Sequence, residues 1–286
     1  MQNLKKHLSL LLFITAFLFS AKSSFAQKPE WSKPYKPFRI AGNLYYVGTY
    51  DLACYLITTP KGHMLINCAL ESTVPAIRQH VEELGFKFTD IKILLSSQAH
   101  FDHVGGMAGI QKLTKAKVMI DEADAQVMED GGNSDYLFGG KGIGSMFKPV
   151  HVDRRLKDKD LITLGGMNIT FLHHPGHTKG ASSYSFVVRD NKRSYKVLIA
   201  NMPTILDSTT AGMPSYPSVA TDFAYTLKSL KEQHFDLWLC AHASQFDLHE
   251  KRKEDDGYNP KIFMDRKDYD EEVADLYHEY LKKLEH

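Results

Sequence analysis

Short runs of apolar and β-branched residues alternate with turn-forming residues along the chain. In the first part these runs cover residues 38–47, 54–58 and 64–67, and glycine, asparagine and proline interrupt them. Such spacing is typical of a β-meander. Further strands are predicted over Ile91–Leu95 and over residues 161–163, 169–172, 183–188, 196–200 and 237–240.

A helical period follows the meander. Val74, Ile77 and Val81 recur at spacings that place them on one helix face, between a candidate cap at Ser72 and a terminating Gly85. Further helices are predicted over residues 105–113, 223–233 and 268–281.

The strands and helices occur in two similar halves, which predicts two packed sheets covered by helices on the outside. The periodicity alone supports only an α/β or α+β class. Because no Gly-, Ser- or Pro-rich linker divides residues 27–286, we predict one domain there. The terminal Leu284, Glu285 and His286 resemble the remnant of an expression tag rather than a part of the fold.

The first 26 residues carry a different pattern. Lys5 and Lys6 precede an apolar run over residues 8–19, and small residues surround Ala26. This predicts a signal peptide that is cleaved after Ala26 and directs export to the periplasm. The apolar run is shorter than the roughly 20 residues of a membrane span, and no cysteine follows the cleavage point, so no membrane anchor is expected.

Charge and cysteine content narrow the function classes. Removing residues 1–26 takes away three lysines and no acidic residue, so the formal charge of +1 becomes −2. No basic stripe indicates a nucleic-acid partner. Cys54, Cys68 and Cys240 lie in apolar contexts, where we expect buried small side chains, and their odd number leaves at least one thiol free.

The strongest chemical signal follows the strand Ile91–Leu95. Gln98, His100, Asp102 and His103 fall within six residues there. If this segment is extended, the first three side chains point to one side, and a turn at Asp102 brings His103 to the same pocket. Imidazole and carboxylate groups together are typical zinc ligands.

Two remote segments supply further histidines. His177 comes just after the turn that Pro175 and Gly176 predict, and His242 directly follows the strand predicted at 237–240. Histidines at the ends of several strands are what a metal site on a rigid scaffold requires.

This constellation resembles the metallo-β-lactamase superfamily, whose first loop reads His-x-His-x-Asp-His. A finer resemblance, to subclass B3 and within it to GOB-type enzymes, spans essentially the whole chain after residue 26. It is carried by the segments PFRIAGNLYYVGTYDLA (37–53), HHPGHTKG (173–180), VLIANMP (197–203) and HASQFDLHEKRKE (242–254). The resemblance implies the superfamily's fold, a four-layer αββα sandwich.

The resemblance also implies two zinc positions. The first would use Gln98, His100 and His177, and the second Asp102, His103 and His242. The chain departs from the superfamily pattern at Gln98, where histidine is usual and GOB-type enzymes have glutamine. It departs again at Met202, where subclass B3 commonly has serine. Thr204 matches a second family serine, and the resemblance implies that it binds the substrate carboxylate.

The function implied is hydrolysis of penicillins, cephalosporins and carbapenems by a metal-bound hydroxide, which confers antibiotic resistance. One or two Zn²⁺ ions are expected per chain, and zinc lowers the pKa of bound water from 15.7 to about 7. Asp102 is expected to orient that water as well as to bind the second metal. Because a glutamine oxygen is a weaker donor than imidazole, we expect weaker metal binding at the Gln98 site. Ligand type alone is also compatible with iron or manganese.

Two other classes share this pattern. A glyoxalase II-like thioesterase or a lactonase has the same fold, but the export signal and the GOB-like segments favour a lactam substrate. A secreted metal-binding protein without activity is the second alternative, which an open three-ligand site disfavours. The expected partner is a small-molecule substrate only, and the expected state is a monomer.

Several other polar residues carry weaker expectations. His173 and His174 are expected to pack at a strand end or to support a ligand. Lys179 is either a group that attracts an anionic substrate or a solvated turn residue, and Asp247 could orient a metal ligand. Substrate preference is expected to depend on loops near residues 31–35, 139–147 and 213–217.

Overall fold

The computed structural model describes residues 28–140, 146–191 and 193–285. The predicted signal peptide, residues 1–26, lies outside the described residues. Among those that are described, no helix combines the length and the hydropathy that a membrane span needs.

The first sheet has seven strands in chain order. They are β1 (Phe38–Ala41), β2 (Leu44–Tyr46), β3 (Tyr55–Thr59), β4 (Gly62–Ile66), β5 (Ile91–Leu95), β6 (Lys117–Asp121) and β7 (Arg154–Leu156). The first four strands form the predicted antiparallel meander. From β4 to β7 the strands are parallel, so their carboxyl ends meet at one edge of the sheet.

The second sheet has five strands in the order β12-β11-β10-β9-β8. They are β8 (Leu161–Leu164), β9 (Met167–His173), β10 (Ser182–Asp190), β11 (Arg193–Ala200) and β12 (Leu237–Cys240). Four of them form an antiparallel meander, and β12 joins it parallel to β11.

Helices cover both sheets. They are α1 (Val74–Glu83), α2 (Phe101–Val104), α3 (Met107–Thr114), α4 (Ala125–Glu129), α5 (Val219–Lys231), α6 (Leu248–Lys251) and α7 (Arg266–Leu284). One buried apolar cluster joins the two sheets to α5 and α7, and a second lies between the first sheet and α1 and α3. Neighbouring residues on β3 enter different clusters, since Tyr55 packs between the sheets and Leu56 packs under the helices. This arrangement confirms the predicted four-layer α/β fold with two sheets.

The structure corrects several element boundaries. Ser72 does not cap α1, because a 3-10 turn at Glu71–Thr73 precedes the helix and no side-chain cap is made there. α5 and α7 begin before their predicted starts, and β6, β7 and α4 lacked a clear period. Leu284, which we expected to lie outside the fold, is buried at the end of α7. The three cysteines are buried, as predicted, and all three thiols are free, where the odd count required only one.

Candidate metal centre

Hydrogen bonds hold the start of the loop that follows β5, just before the predicted ligands. The Asn67 side-chain oxygen accepts bonds from the Ser97 backbone N–H at 2.9 Å and from the hydroxyls of Ser96 and Ser97 at 3.2 and 3.1 Å. Tyr184 of the second sheet donates its hydroxyl to the Ser96 carbonyl at 2.6 Å. Both sheets therefore hold this loop where their edges meet.

The predicted turn in this loop begins one residue earlier than expected. His100 is extended, with φ −101° and ψ 154°, and the short helix α2 starts at Phe101. Asp102 and His103 consequently lie in the first helical turn instead of following an extended strand. A helical turn, like the predicted bend, delivers ligands to two neighbouring positions from one short segment.

Asp102, His103 and His242 form one of these positions. Their potential ligand atoms all lie within 4.8 Å of one another. The Asp102 Oδ2 atom is 3.4 Å from His103 Nε2 and 3.4 Å from His242 Nε2. His103 Nε2 is buried and has no hydrogen-bond partner among the described residues. A buried nitrogen without a partner, beside a carboxylate and a second imidazole, fits a zinc ion as its missing partner.

His100 and His177 form the neighbouring position. The turn before His177 contains Gly176 at φ +134°, a conformation that side chains rarely adopt. His177 donates its Nδ1 proton to the Thr204 carbonyl at 2.6 Å, which leaves Nε2 free to accept, and this Nε2 lies 3.1 Å from His100 Nδ1. Gln98 lines the same cavity.

All six predicted ligands surround one cavity of about 320 Å³. Its walls also include Trp31, Phe101, Phe138, Met202, Thr204 and Leu206. A wider cleft of about 870 Å³ lies elsewhere and is lined by none of the predicted ligands. The structure thus brings together, in one place, side chains from three remote parts of the chain.

Buried carboxylates lie beside two of the ligand histidines, and sequence reasoning missed them. Asp51 Oδ2 lies 3.2 Å from His242 Nδ1, while its Oδ1 accepts the Ser244 N–H at 3.0 Å. Asp135 Oδ2 lies 3.4 Å from His100 Nε2. Acidic residues are rarely buried without a partner, but their burial is not visible in a single sequence.

A third missed carboxylate ties two ligand loops together. Asp124 accepts the Ala99 N–H at 3.0 Å, the Thr178 hydroxyl at 2.6 Å and the Gly180 N–H at 2.8 Å. Ala99 lies between Gln98 and His100, and Thr178 follows His177. Asp124 therefore fixes the distance between the segments that carry the first position.

Comparisons with known proteins agree with this geometry. The family model of the metallo-β-lactamase superfamily matches residues 48–190. A class B3 di-zinc metallo-β-lactamase from an Alaskan soil metagenome is 56% identical, with a TM-score of 0.89 over 91% of this chain and 98% of its own. The chain belongs to the metallo-β-lactamase superfamily. The metallo-β-lactamase GOB-18 from Elizabethkingia meningoseptica is 50% identical, with a TM-score of 0.86 over 90% of this chain and 95% of its own.

Curated relatives of lower identity match only in part. A hydroxyacylglutathione hydrolase from Rhodopseudomonas palustris (strain BisB5) is 28% identical over 133 residues. That alignment covers 46% of this chain and 42% of the relative, so the chain spans less than half the length of this curated relative.

The buried charges of this superfamily member set the protonation states of the candidate ligands at neutral pH. Burial lowers the pKa of His242, but Asp102 and Asp51 outweigh burial and raise that pKa to about 9, so metal binding there must release a proton. Burial raises the pKa of Asp102, but His103 and His242 outweigh burial and hold that pKa well below its usual range. Burial and the nearby His100 lower the pKa of His177 to about 3. An ionised carboxylate and a neutral imidazole are the forms that bind metals.

The weaker expectations have mixed outcomes. His173 lies 2.7 Å from Asp121, and His174 is buried between the hydroxyls of Ser183 and Ser229, so both histidines support the scaffold. Lys179 is exposed, with its Nζ 5.5 Å from the Tyr216 ring, and does not line the cavity.

Other sequence expectations about the cavity need correction. Asp51, and not Asp247, orients His242, because it is the Asp51 carboxylate that lies 3.2 Å from His242 Nδ1. Asp247 directly precedes α6. Of the three loops expected to shape the substrate groove, only the segment near Trp31 lines the cavity; residues 213–217 and the described part of 139–147 do not.

Proposed function

We propose that this superfamily member is a zinc-dependent β-lactamase that hydrolyses the cyclic amide of penicillins, cephalosporins and carbapenems. The observation that carries the proposal is the convergence of His100, Asp102, His103, His177 and His242 on one cavity. High identity to class B3 metallo-β-lactamases over nearly the whole chain supports a lactam as the substrate.

One or two zinc ions per chain would occupy the two positions. Gln98, His100 and His177 would hold the first, and Asp102, His103 and His242 the second. When bound, zinc supplies the Lewis acidity that ionises water near neutral pH and polarises an amide carbonyl. The Gln98 position would bind metal more weakly, because its carboxamide oxygen is a poorer zinc ligand than imidazole.

The protein's own groups would orient the reactants. Asp102 is ionised and lies beside both histidines of its position, where its carboxylate would accept a hydrogen bond from the attacking water and fix its direction. Thr204 is exposed at the cavity wall, and its hydroxyl would donate to the substrate carboxylate. Trp31 and Phe101, whose rings lie 5.8 Å apart, form an apolar wall that excludes bulk water from the amide.

We further propose that residues 1–26 direct export to the periplasm and are removed there. Residues 27–286 would then act as a single-domain monomer. Mass spectrometry of the exported protein and its elution from a sizing column test these two points. An unprocessed N-terminus or a dimer would refute them without affecting the catalytic proposal.

The substrate panel that tests the function contains a chromogenic cephalosporin, a penicillin, a carbapenem, a glutathione thioester and a lactone. We expect hydrolysis of the β-lactams, loss of activity with EDTA, and recovery with Zn²⁺. His103→Ala should abolish hydrolysis, whereas His151→Ala, at an exposed histidine outside the cavity, should not. Cleavage of the thioester or lactone with no turnover of any β-lactam would refute the proposal.

A further inference from the structure

The segment after β11 forms one wall of the cavity without regular secondary structure of its own. Met202, Thr204 and Leu206 of this segment line the cavity, and no helix begins before Val219. Because few local bonds hold such a segment, its position depends on contacts from other elements. We call residues 202–207 the wall loop.

Three side chains from separate elements hold three carbonyls of the wall loop. Gln245 donates to the Met202 carbonyl at 3.3 Å, and His177 donates to the Thr204 carbonyl at 2.6 Å. Lys283 donates to the Ile205 carbonyl at 3.0 Å. The first two donors belong to the metal-site loops, but Lys283 lies in the last turn of α7, outside the cavity.

Each of the three N–H donors of the Lys283 ammonium has an acceptor. Its Nζ has three donors, and it meets three acceptors: the Ile205 carbonyl at 3.0 Å, Asp207 Oδ1 at 3.0 Å and Glu279 Oε1 at 2.9 Å. Two of these acceptors belong to the wall loop, and the third lies one turn earlier on α7. The lysine thus joins the wall loop to a helix whose buried residues, among them Leu276 and Tyr280, pack into the core.

We propose that Lys283 is a positioning residue for substrate binding. It holds the Ile205 carbonyl, and the neighbouring Thr204 would contact the substrate carboxylate. Without the lysine, the wall loop would sample positions in which the Thr204 hydroxyl no longer faces the substrate, so binding would weaken. His100 and His242 keep their contacts with Asp135 and Asp51, and Asp124 still holds the loop of His177 through Thr178 and Gly180. The expected change in substrate binding rests on the proposed function, whereas the expected movement of the wall loop does not.

The kinetic test compares Lys283→Met with Lys283→Arg and with Lys282→Met, which changes an exposed lysine on the same helix. We expect KM for a chromogenic cephalosporin to rise about fivefold to tenfold in Lys283→Met, with kcat changed less than about twofold and zinc content unchanged. Lys283→Arg should recover most of the affinity, and Lys282→Met should match the parent chain. An unchanged KM, or a fall in kcat that follows loss of zinc, would overturn the proposal.

Hydrogen exchange gives a readout that needs no substrate. The Thr204 amide bonds to the Met202 carbonyl at 3.0 Å, and the Thr209 amide bonds to the Leu206 carbonyl at 2.9 Å. Both should exchange about tenfold faster in Lys283→Met. Asp207→Asn, at a fully exposed residue, should also speed the exchange of these amides, but by less. This variant keeps the test valid if Lys283→Met does not fold. Unchanged exchange rates in both variants would refute the inference. If the parent chain hydrolyses no β-lactam, only the proposed function is refuted.

Discussion

Replacing Asp51 with asparagine changes one charge behind the second metal position. Asp51 Oδ2 lies 3.2 Å from His242 Nδ1, and its Oδ1 accepts the Ser244 N–H at 3.0 Å. Asp51→Asn keeps an oxygen for Ser244 but turns an amide donor toward His242 Nδ1. In the parent chain the Asp51 carboxylate accepts the Nδ1 proton of His242, so that Nε2 is free to bind the metal. The variant lacks this acceptor.

The expected loss can be scaled from the contact. Asp51 is 7% exposed, so solvent screens the contact little. Loss of a buried carboxylate partner of a metal-bound histidine typically lowers metal affinity about 10- to 100-fold, or about 1.4 to 2.7 kcal/mol. We expect this loss at the position of Asp102, His103 and His242, and little change at that of Gln98, His100 and His177.

Competition of the apoprotein with a chromophoric zinc chelator measures the affinity of each position. Asp247→Asn is the matched control, because this carboxylate lies close in sequence to His242 but makes no hydrogen bond or ion pair with it in the described structure. Equal affinities for Asp51→Asn and the parent chain, or an equal loss in Asp247→Asn, would show that Asp51 does not tune the site.

Three further predictions concern other parts of the site. Gln98→His should raise the zinc retained per chain after dialysis against a weak chelator, because imidazole is the better ligand, whereas the exposed Gln126→His should not; no gain would contradict our view of the glutamine. Gly176→Ala should lower the free energy of unfolding by about 2 kcal/mol or more, since its φ is +134° and the new Cβ would lie 2.9 Å from a buried phenyl ring. Gly109→Ala, with its nearest neighbour at 3.7 Å, should be tolerated, and urea titrations compare the two variants. Burial lowers the pKa of His174 to about 4, so the unfolded chain takes up a proton before the folded chain does as the pH falls from 7 to 5. The metal-free parent should therefore lose about 2 kcal/mol of stability relative to His174→Gln over this range. A stability difference between the two chains that does not change with pH would rule this out.

The sequence predicted the elements with strong apolar character and the fold as a whole. The strands Ile91–Leu95 and Leu237–Cys240 match their predicted bounds, since each is a fully apolar or nearly apolar run with polar residues after it. β7 and α4 were missed because each is short, with three and five residues, and carries little periodic signal. Tertiary contacts, and not local propensity, form such elements.

The candidate ligands could be named from the sequence because they cluster at strand ends, and the structure places them around one cavity. Asp51, Asp124 and Asp135 could not be named in the same way. Their role depends on burial and on partners remote along the chain, such as the 3.2 Å contact of Asp51 with His242. The positioning role of Lys283 could not be predicted from the sequence either, since a lysine near the end of an amphipathic helix is normally a solvated residue.

Zinc titration into the metal-free protein, with cephalosporin hydrolysis followed in the same samples, tests the central claim most directly. We expect no hydrolysis without metal, and a rate that rises in proportion to bound zinc and reaches its plateau at one or two ions per chain. Full activity in the metal-free protein, or a zinc-loaded protein that opens no β-lactam ring, would contradict it.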